Sequence, residues 1–401
     1  MFIALGAPWT YALIVFGFAA VYMLIPRKYT IISFILLVVS LSVYAFYIQP
    51  NDTDDLSRYY MQLDYLREFG YDYLQRCFDE GINGWDTYRV CGYYFYIFSR
   101  FDDNRYMAAV TIAIAYGLTF WCLYKAANRF DISKGNLFIG ALTILSLYWF
   151  YDIWAGIRNG LCFAVVFACA YYHLVEKKNV FLCLTGYVLA CFMHSAGFIL
   201  VVVVLTAYAV HRIPSKFINI VIIFGISLGG MLINFLADRF DIALFESLSE
   251  RAETIESSGA VYTETNYLVN VAVLFVSLIV MWYGSLFFKR RIDNDLSVSK
   301  FYELYIVVVL FCLGSIFNAL IFKRMVRWVV PQVLSIFLML SLEFQQIDFH
   351  DKLDSTERYN GYTDVPIRTR TSGLYRVFIV VFLLVHLIYM VIGSSLCWAH
   401  F

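Results

Sequence analysis

The chain has 401 residues, of which 61% are hydrophobic and only 15% charged, and its mean hydropathy is +0.69. Soluble domains carry about 25% charged and about 45–50% apolar residues, so this composition excludes an ordinary soluble fold. The formal net charge is zero, which removes any global electrostatic case for nucleic acid as a partner.

Apolar runs of about twenty residues are long enough to cross a bilayer as helices. Here they recur at roughly 8–25, 31–48, 106–124, 136–151, 157–175, 180–193, 195–210, 217–236, 266–288, 301–322, 325–344 and 375–396. They are too long and too continuously apolar for the alternating strands of an outer-membrane barrel. The expectation is an all-α polytopic membrane protein, one integral membrane domain over 1–401 with about twelve transmembrane helices. The first run has no basic segment before it and no clear small-residue cleavage site after it, so it reads as a retained helix. Segment 49–105 is dense in aromatics and balanced charge, which suits amphipathic or re-entrant helices in the interface. Segment 237–265 reads as a loop. Segment 345–374, polar and containing Gly361 and Pro366, reads as a flexible loop.

Orientation follows from lysine and arginine in the short connections. Arg27, Lys28, Lys125, Arg129, Lys177, Lys178, Arg212, Lys216 and Lys289–Arg291 fall on one face, together with 345–374. That face is expected to be cytoplasmic. The opposite, outer face then receives 49–105, 237–265, Arg158, His194, and the cations Lys323, Arg324 and Arg327.

The chemistry is expected on that outer face. Arg158 lies between Gly156 and Gly160, with Asp152 in the same stretch. Arginine at a bilayer edge ordinarily snorkels to headgroups, but glycines on both sides permit close approach of a helix or a ligand. Arg324 and Arg327 are one helical turn apart beside Lys323. Three cations at one helix end call for an anion. Phosphate is the natural candidate because the guanidinium fork matches its oxygens, and a diphosphate could occupy several such groups. His194 is either a structural histidine bonded to a carbonyl or a proton acceptor or donor at a reacting oxygen. Asp52, Asp54 and Asp55 either cap a helix, orient an arginine, activate a hydroxyl or hold a cation. Without a glycine turn they do not form an EF-hand, so no metal is assigned. The nine cysteines show no C-x-x-C spacing; Cys77 and Cys91 share a polar segment and could pair in an oxidising compartment.

Three stretches resemble the EpsG family of Wzy-like bacterial polysaccharide polymerases. The most specific is Gly156-Ile157-Arg158-Asn159, followed by Glu176-Lys177-Lys178-Asn179 and then Phe192-Met193-His194-Ser195. The second is Asp55-Leu56-Ser57-Arg58-Tyr59-Tyr60, where the Asp54-Asp55 doublet allows two registers. The third is Phe322-Lys323-Arg324. The match departs at Val90-Cys91-Gly92-Tyr93, where an acid usually precedes the glycine. The resemblance implies a multi-spanning, lipid-donor (GT-C-type) glycosyltransferase with a large outer-face segment. It would polymerise undecaprenyl-diphosphate-linked oligosaccharide, serving as both donor and acceptor, into O-antigen, capsule or exopolysaccharide. The location implied is the bacterial inner membrane, with the active site facing the periplasm or exterior. No cofactor is expected, and a chain-length regulator stays open as a further partner. On this reading Arg158, Arg324, Arg327 and Lys323 bind the diphosphate. His194 is the first choice of base or acceptor-orienting group, and Asp55 or Asp54 the second. A ligase or single-addition transferase, and a lipid-linked oligosaccharide flippase, are the alternatives.

Overall fold

The structure is a computed structural model that describes residues 6–52, 54–210, 264–292, 295–316, 318–357 and 368–393. Among these residues it is helical, with no strand. The expected span 217–236 and most of the expected loop 237–265 lie outside the described residues.

Helix α1 (Ala7–Leu24) carries Pro in its first turn, where the missing N–H costs nothing and the fixed φ already suits a helix. A 3-10 turn leads into α2 (Thr30–Tyr47). The Tyr44 hydroxyl donates to the Ala7 carbonyl at 2.6 Å, which pins the end of α2 to the start of α1. After the segment containing α3 (Asp55–Asp79) and α4 (Arg89–Phe98), α5 (Arg105–Arg129) returns to pack against α2. Then follow α6 (Lys134–Leu147), the short α7 (Phe150–Ala155) and α8 (Ile157–Tyr171). A π-turn at Tyr172–Glu176 and a left-handed Lys177 end α8, and Asn179 caps the next helix by accepting from the Leu182 N–H. That helix is α9 (Val180–Met193), joined at His194 to α10 (Ala196–Val210). The described chain resumes with α11 (Glu264–Ile292), α12 (Leu296–Gly314), α13 (Ala319–Arg324), a π-turn at Met325–Val329, α14 (Val330–Glu357) and α15 (Arg368–Ile392).

The core runs along α13 and α14. The most apolar window of Ala319–Ile347 is wholly buried, whereas that of Ala7–Leu24 is only 39% buried. Among the described residues the bundle therefore has one central span, and the peripheral spans turn residues such as Leu36, Val39 and Val43 outward, as a lipid-facing surface requires. Phe337 sits at the axis, stacked on Tyr305 at 4.0 Å and Phe288 at 4.6 Å. Gly140 lets α6 lie against α14: a Cβ there would meet the Ser335 carbonyl oxygen at 3.1 Å. His386 on α15 bonds the Ser146 carbonyl at 2.8 Å and so ties α15 to α6.

Eight described helices are long and apolar enough to cross a membrane, and three shorter apolar helices accompany them at Lys134–Leu147, Val180–Met193 and Ala196–Ala209. Two boundaries differ from expectation. The break between the expected spans 301–322 and 325–344 falls earlier, near Ser315–Asn318, where Asn318 accepts from the Ile321 N–H and starts a new helix. Lys323, Arg324 and Arg327 therefore lie inside the first turns of the central span, not in a connection. The expected loop from 345 is helical as far as Glu357 and helical again from Arg368. Its Glu, Gln and Lys residues are good helix formers, and Gly361 and Pro366 come only later.

Segment 49–105 forms two helices and a short turn. Helix α3 is broken at Gly70, whose φ of 69° is a conformation that L side chains avoid. Beyond it the chain doubles back. The Tyr73 hydroxyl reaches Gln62 Oε1 at 3.3 Å, although a straight helix would hold these residues about 16 Å apart. Tyr65, Phe69 and Tyr73 gather at this hairpin.

Candidate functional site

The first half of α3 presents Asp55, Arg58, Tyr59 and Gln62 on one face, the i, i+3, i+4 and i+7 positions of a helix. This face forms one wall of a cleft of about 290 Å³. Asn83 and Trp85 from the turn before α4, Phe95 from α4 and Arg158 from the first turn of α8 complete the lining, with Met61.

Arg158 is held by Tyr59. Its Nε donates to the Tyr59 hydroxyl at 3.0 Å, and its guanidinium sits 5.3 Å from the centre of the Tyr59 ring. The Tyr59 ring is fixed edge-on by Phe95 at 5.2 Å. Burial pushes the Tyr59 phenol above its ordinary value, against the pull of Arg158. The hydroxyl therefore accepts from Arg158 and keeps its own proton to donate. Cys91 lies close enough to Arg158 and Trp85 to interact with both. Burial pushes its thiol up to about 12, with Arg158 opposing, so at neutral pH it is a neutral neighbour.

Gly156 and Gly160 serve the chain's own packing. A Cβ at Gly156 would meet the Asp152 carbonyl oxygen at 2.7 Å, and one at Gly160 would meet the Ile153 side chain at 2.7 Å. The glycines let α7 fold tightly against the start of α8, and this turn points Arg158 into the cleft.

Arg324 joins this site from the other end of the sequence. It lies within electrostatic reach of Asp55, Arg158 and Tyr59. Asp55 acts on both arginines and also pairs with Arg58. Two guanidiniums, a carboxylate and a phenol thus converge.

The other expected residues divide. Arg327 is 2% exposed, with each guanidinium nitrogen already bonded: Nη1 to Asp152 Oδ2 at 2.8 Å, Nε to Asn270 at 3.0 Å and Nη2 to Asn266 at 3.2 Å. Its plane lies 3.4 Å from the Trp149 ring centre. This corrects the expectation that Arg327 faces the same ligand as Arg324. The π-turn at Met325–Val329 widens the helix, so residues three apart no longer share a face. Lys323 acts on Asp152. Asp152 pairs with Arg327, not with Arg158.

Asp54 and Asp55 also part company. Asp54 precedes the first turn of α3, but its carboxylate accepts from the Tyr151 hydroxyl at 2.6 Å and from the Asn51 N–H at 2.9 Å. It anchors α3 to α7, and only Asp55 lines the cleft. Asp52 is exposed. His194 stands between α9 and α10, and its Nδ1 accepts from the Ala196 N–H at 3.1 Å. That bond puts the proton of the neutral ring on Nε2. The ring stacks on Tyr88 at 6.2 Å, beside the cleft segment but not in the cleft lining.

Sequence reasoning met Tyr59 only within the Asp55–Tyr60 stretch, without a role, and did not single out Gln62, Asn83 or Trp85. The helical spacing of Tyr59 and Gln62 from Asp55 was the available signal; Asn83 and Trp85 arrive through a turn and left none. Cys77 and Cys91 are both buried free thiols and are not joined. Among the described residues no group of three or more His, Cys, Asp or Glu side chains could hold a metal ion.

Searches of curated proteins and of solved structures return no match. A family-level comparison matches residues 31–348 to the EpsG family, a stretch that contains every residue of the cleft and both arginines. Its extent covers most of the membrane-spanning chain, and the chain belongs to the EpsG family, membrane proteins of polysaccharide-polymerase type.

Proposed function

We propose that this protein polymerises oligosaccharide repeat units carried on undecaprenyl diphosphate, at the outer face of the bacterial inner membrane. The observation that carries this reading is the convergence of Arg158, Asp55 and Tyr59 in one open cleft, with Arg324 within electrostatic reach of all three. Lipid-diphosphate donors leave as a diphosphate anion, and paired arginines suit that charge.

In the reaction, a hydroxyl oxygen of the acceptor unit attacks the anomeric carbon of the donor sugar. The bond from that carbon to the diphosphate oxygen breaks, and its electron pair leaves with the diphosphate. Arg158 and Arg324 hold the departing charge. The acceptor proton passes to Asp55, the carboxylate in the cleft. Tyr59 fixes Arg158 and offers its hydroxyl proton toward the leaving oxygens. His194, with Nδ1 engaged by the Ala196 N–H and its ring outside the cleft lining, is assigned no proton transfer. The sequence ranking placed His194 first, as base or acceptor-orienting group, and Asp55 or Asp54 second; the proposal gives the base to Asp55. Lys323 and Arg327 are assigned to Asp152 and not to the diphosphate.

The test is purified protein in liposomes given lipid-linked repeat units, with products sized on a gel. A ladder of lengths is the expected outcome. Arg158→Ala and Arg324→Ala should each reduce it by about two orders of magnitude or more. A single added unit would instead indicate a transferase or ligase, and translocation without covalent change a flippase. Full ladders from both variants would remove the site assignment.

A further inference from the structure

Arg158, in the cleft, and Arg324, within electrostatic reach of it, carry like charges and repel each other. What holds them together lies outside the cleft. Asp152, on α7, is part of the tight turn that leads through Gly156 to Arg158. Arg327 lies in the π-turn that starts directly after Arg324. These two residues form an ion pair at 2.8 Å, with side chains only 11% and 2% exposed. Asn266 and Asn270 of α11 and the Trp149 ring lock the Arg327 end. The pair therefore joins the segment carrying Arg158 to the segment carrying Arg324.

We propose that Asp152 and Arg327 are positioning residues whose buried ion pair sets the separation of Arg158 and Arg324, and thereby the cleft's preference for a diphosphate over a monophosphate. The inference rests on reading the cleft as an anion site. A diphosphate engages both arginines at once only if their spacing is held, because the second contact is then intramolecular. A single phosphate gains much less from a fixed spacing.

The experiment measures the affinity of the purified, detergent-solubilised protein for inorganic diphosphate and for inorganic phosphate. The ratio of the two constants does not depend on the fraction of protein folded, so a purely structural role would leave it unmoved. In the native protein diphosphate should win by on the order of tenfold. Asp152→Asn keeps the size of the side chain, and Arg327→Lys keeps the charge without the fork. Both should bring the ratio to within about threefold. Asn270→Ser loosens the Arg327 end while keeping the ion pair, should shift the ratio in the same direction, and serves if the first two variants do not fold. An unchanged ratio in the variants that fold overturns the positioning role and leaves the anion site standing. If the native protein binds neither probe, or Arg158→Gln binds both as the native protein does, the anion site falls and this inference with it.

Discussion

Asp54 and Asp55 are adjacent and chemically identical, yet the fold gives them different work. Asp54 accepts from Tyr151 and Asn51. Asp54→Asn replaces one acceptor oxygen with a donor facing donors, so stability should fall by about 1–3 kcal/mol. Asp55→Asn should leave the melting temperature nearly unchanged and lower polymerisation by about two to four orders of magnitude if the carboxylate is the base. Thermal melts and product ladders on the two variants check both halves, and the opposite pattern would exchange their roles. Cys91 has a related meaning. It places a neutral group beside Arg158, so that arginine has no carboxylate within ion-pair distance among the described residues and its charge stays available to a ligand.

At the scale of elements, the decisive features are three departures from regular helix. Gly70 folds α3 back on itself, the turn at Gly156 sets the direction of Arg158, and the π-turn separates Arg324 from Arg327. The last two are joined by Asp152. Burial alone would raise the Asp152 carboxyl, but Lys323 and Arg327 outweigh it and hold the carboxyl below its ordinary value. A carboxyl depressed in the folded state stabilises above its unfolded value, about 3.9, and loses that contribution as pH falls through the folded value. Asp152→Asn should therefore flatten the acid side of the stability profile while leaving its neutral and alkaline side parallel to that of the native protein. Melts across a pH series measure this, and an unaltered acid side would show that Asp152 is not the group lost there.

On the scale of the whole molecule, the proposal requires the cleft end of the bundle to face outward. Asp86 lies near the cleft and Lys28 in the connection between α1 and α2, and both are exposed. A cysteine at Asp86 should react with a membrane-impermeant maleimide in intact cells, and one at Lys28 only after permeabilisation. The reverse pattern would place the chemistry in the cytoplasm.

The helical, membrane-spanning character of the chain was legible from composition and from the length of the apolar runs, because burial in lipid demands continuous apolar helix. The identity of most of the converging residues was legible too, from an arginine between glycines, an acidic helix start and a cationic helix end. What local pattern could not supply was their assignment to partners. Asp55, Arg158 and Arg324 come from distant parts of the chain, and only packing brings them together. Three neighbouring cations read in sequence as one anion site. The wide turn at Met325–Val329 divides them, sending Arg324 toward Arg158 and Arg327 to Asp152, and no periodicity announces such a turn. The sequence by itself determined which charges border the apolar runs. The tertiary structure decided which of them remain available to a ligand, because a charge buried beside its counter-ion is already spent on the fold.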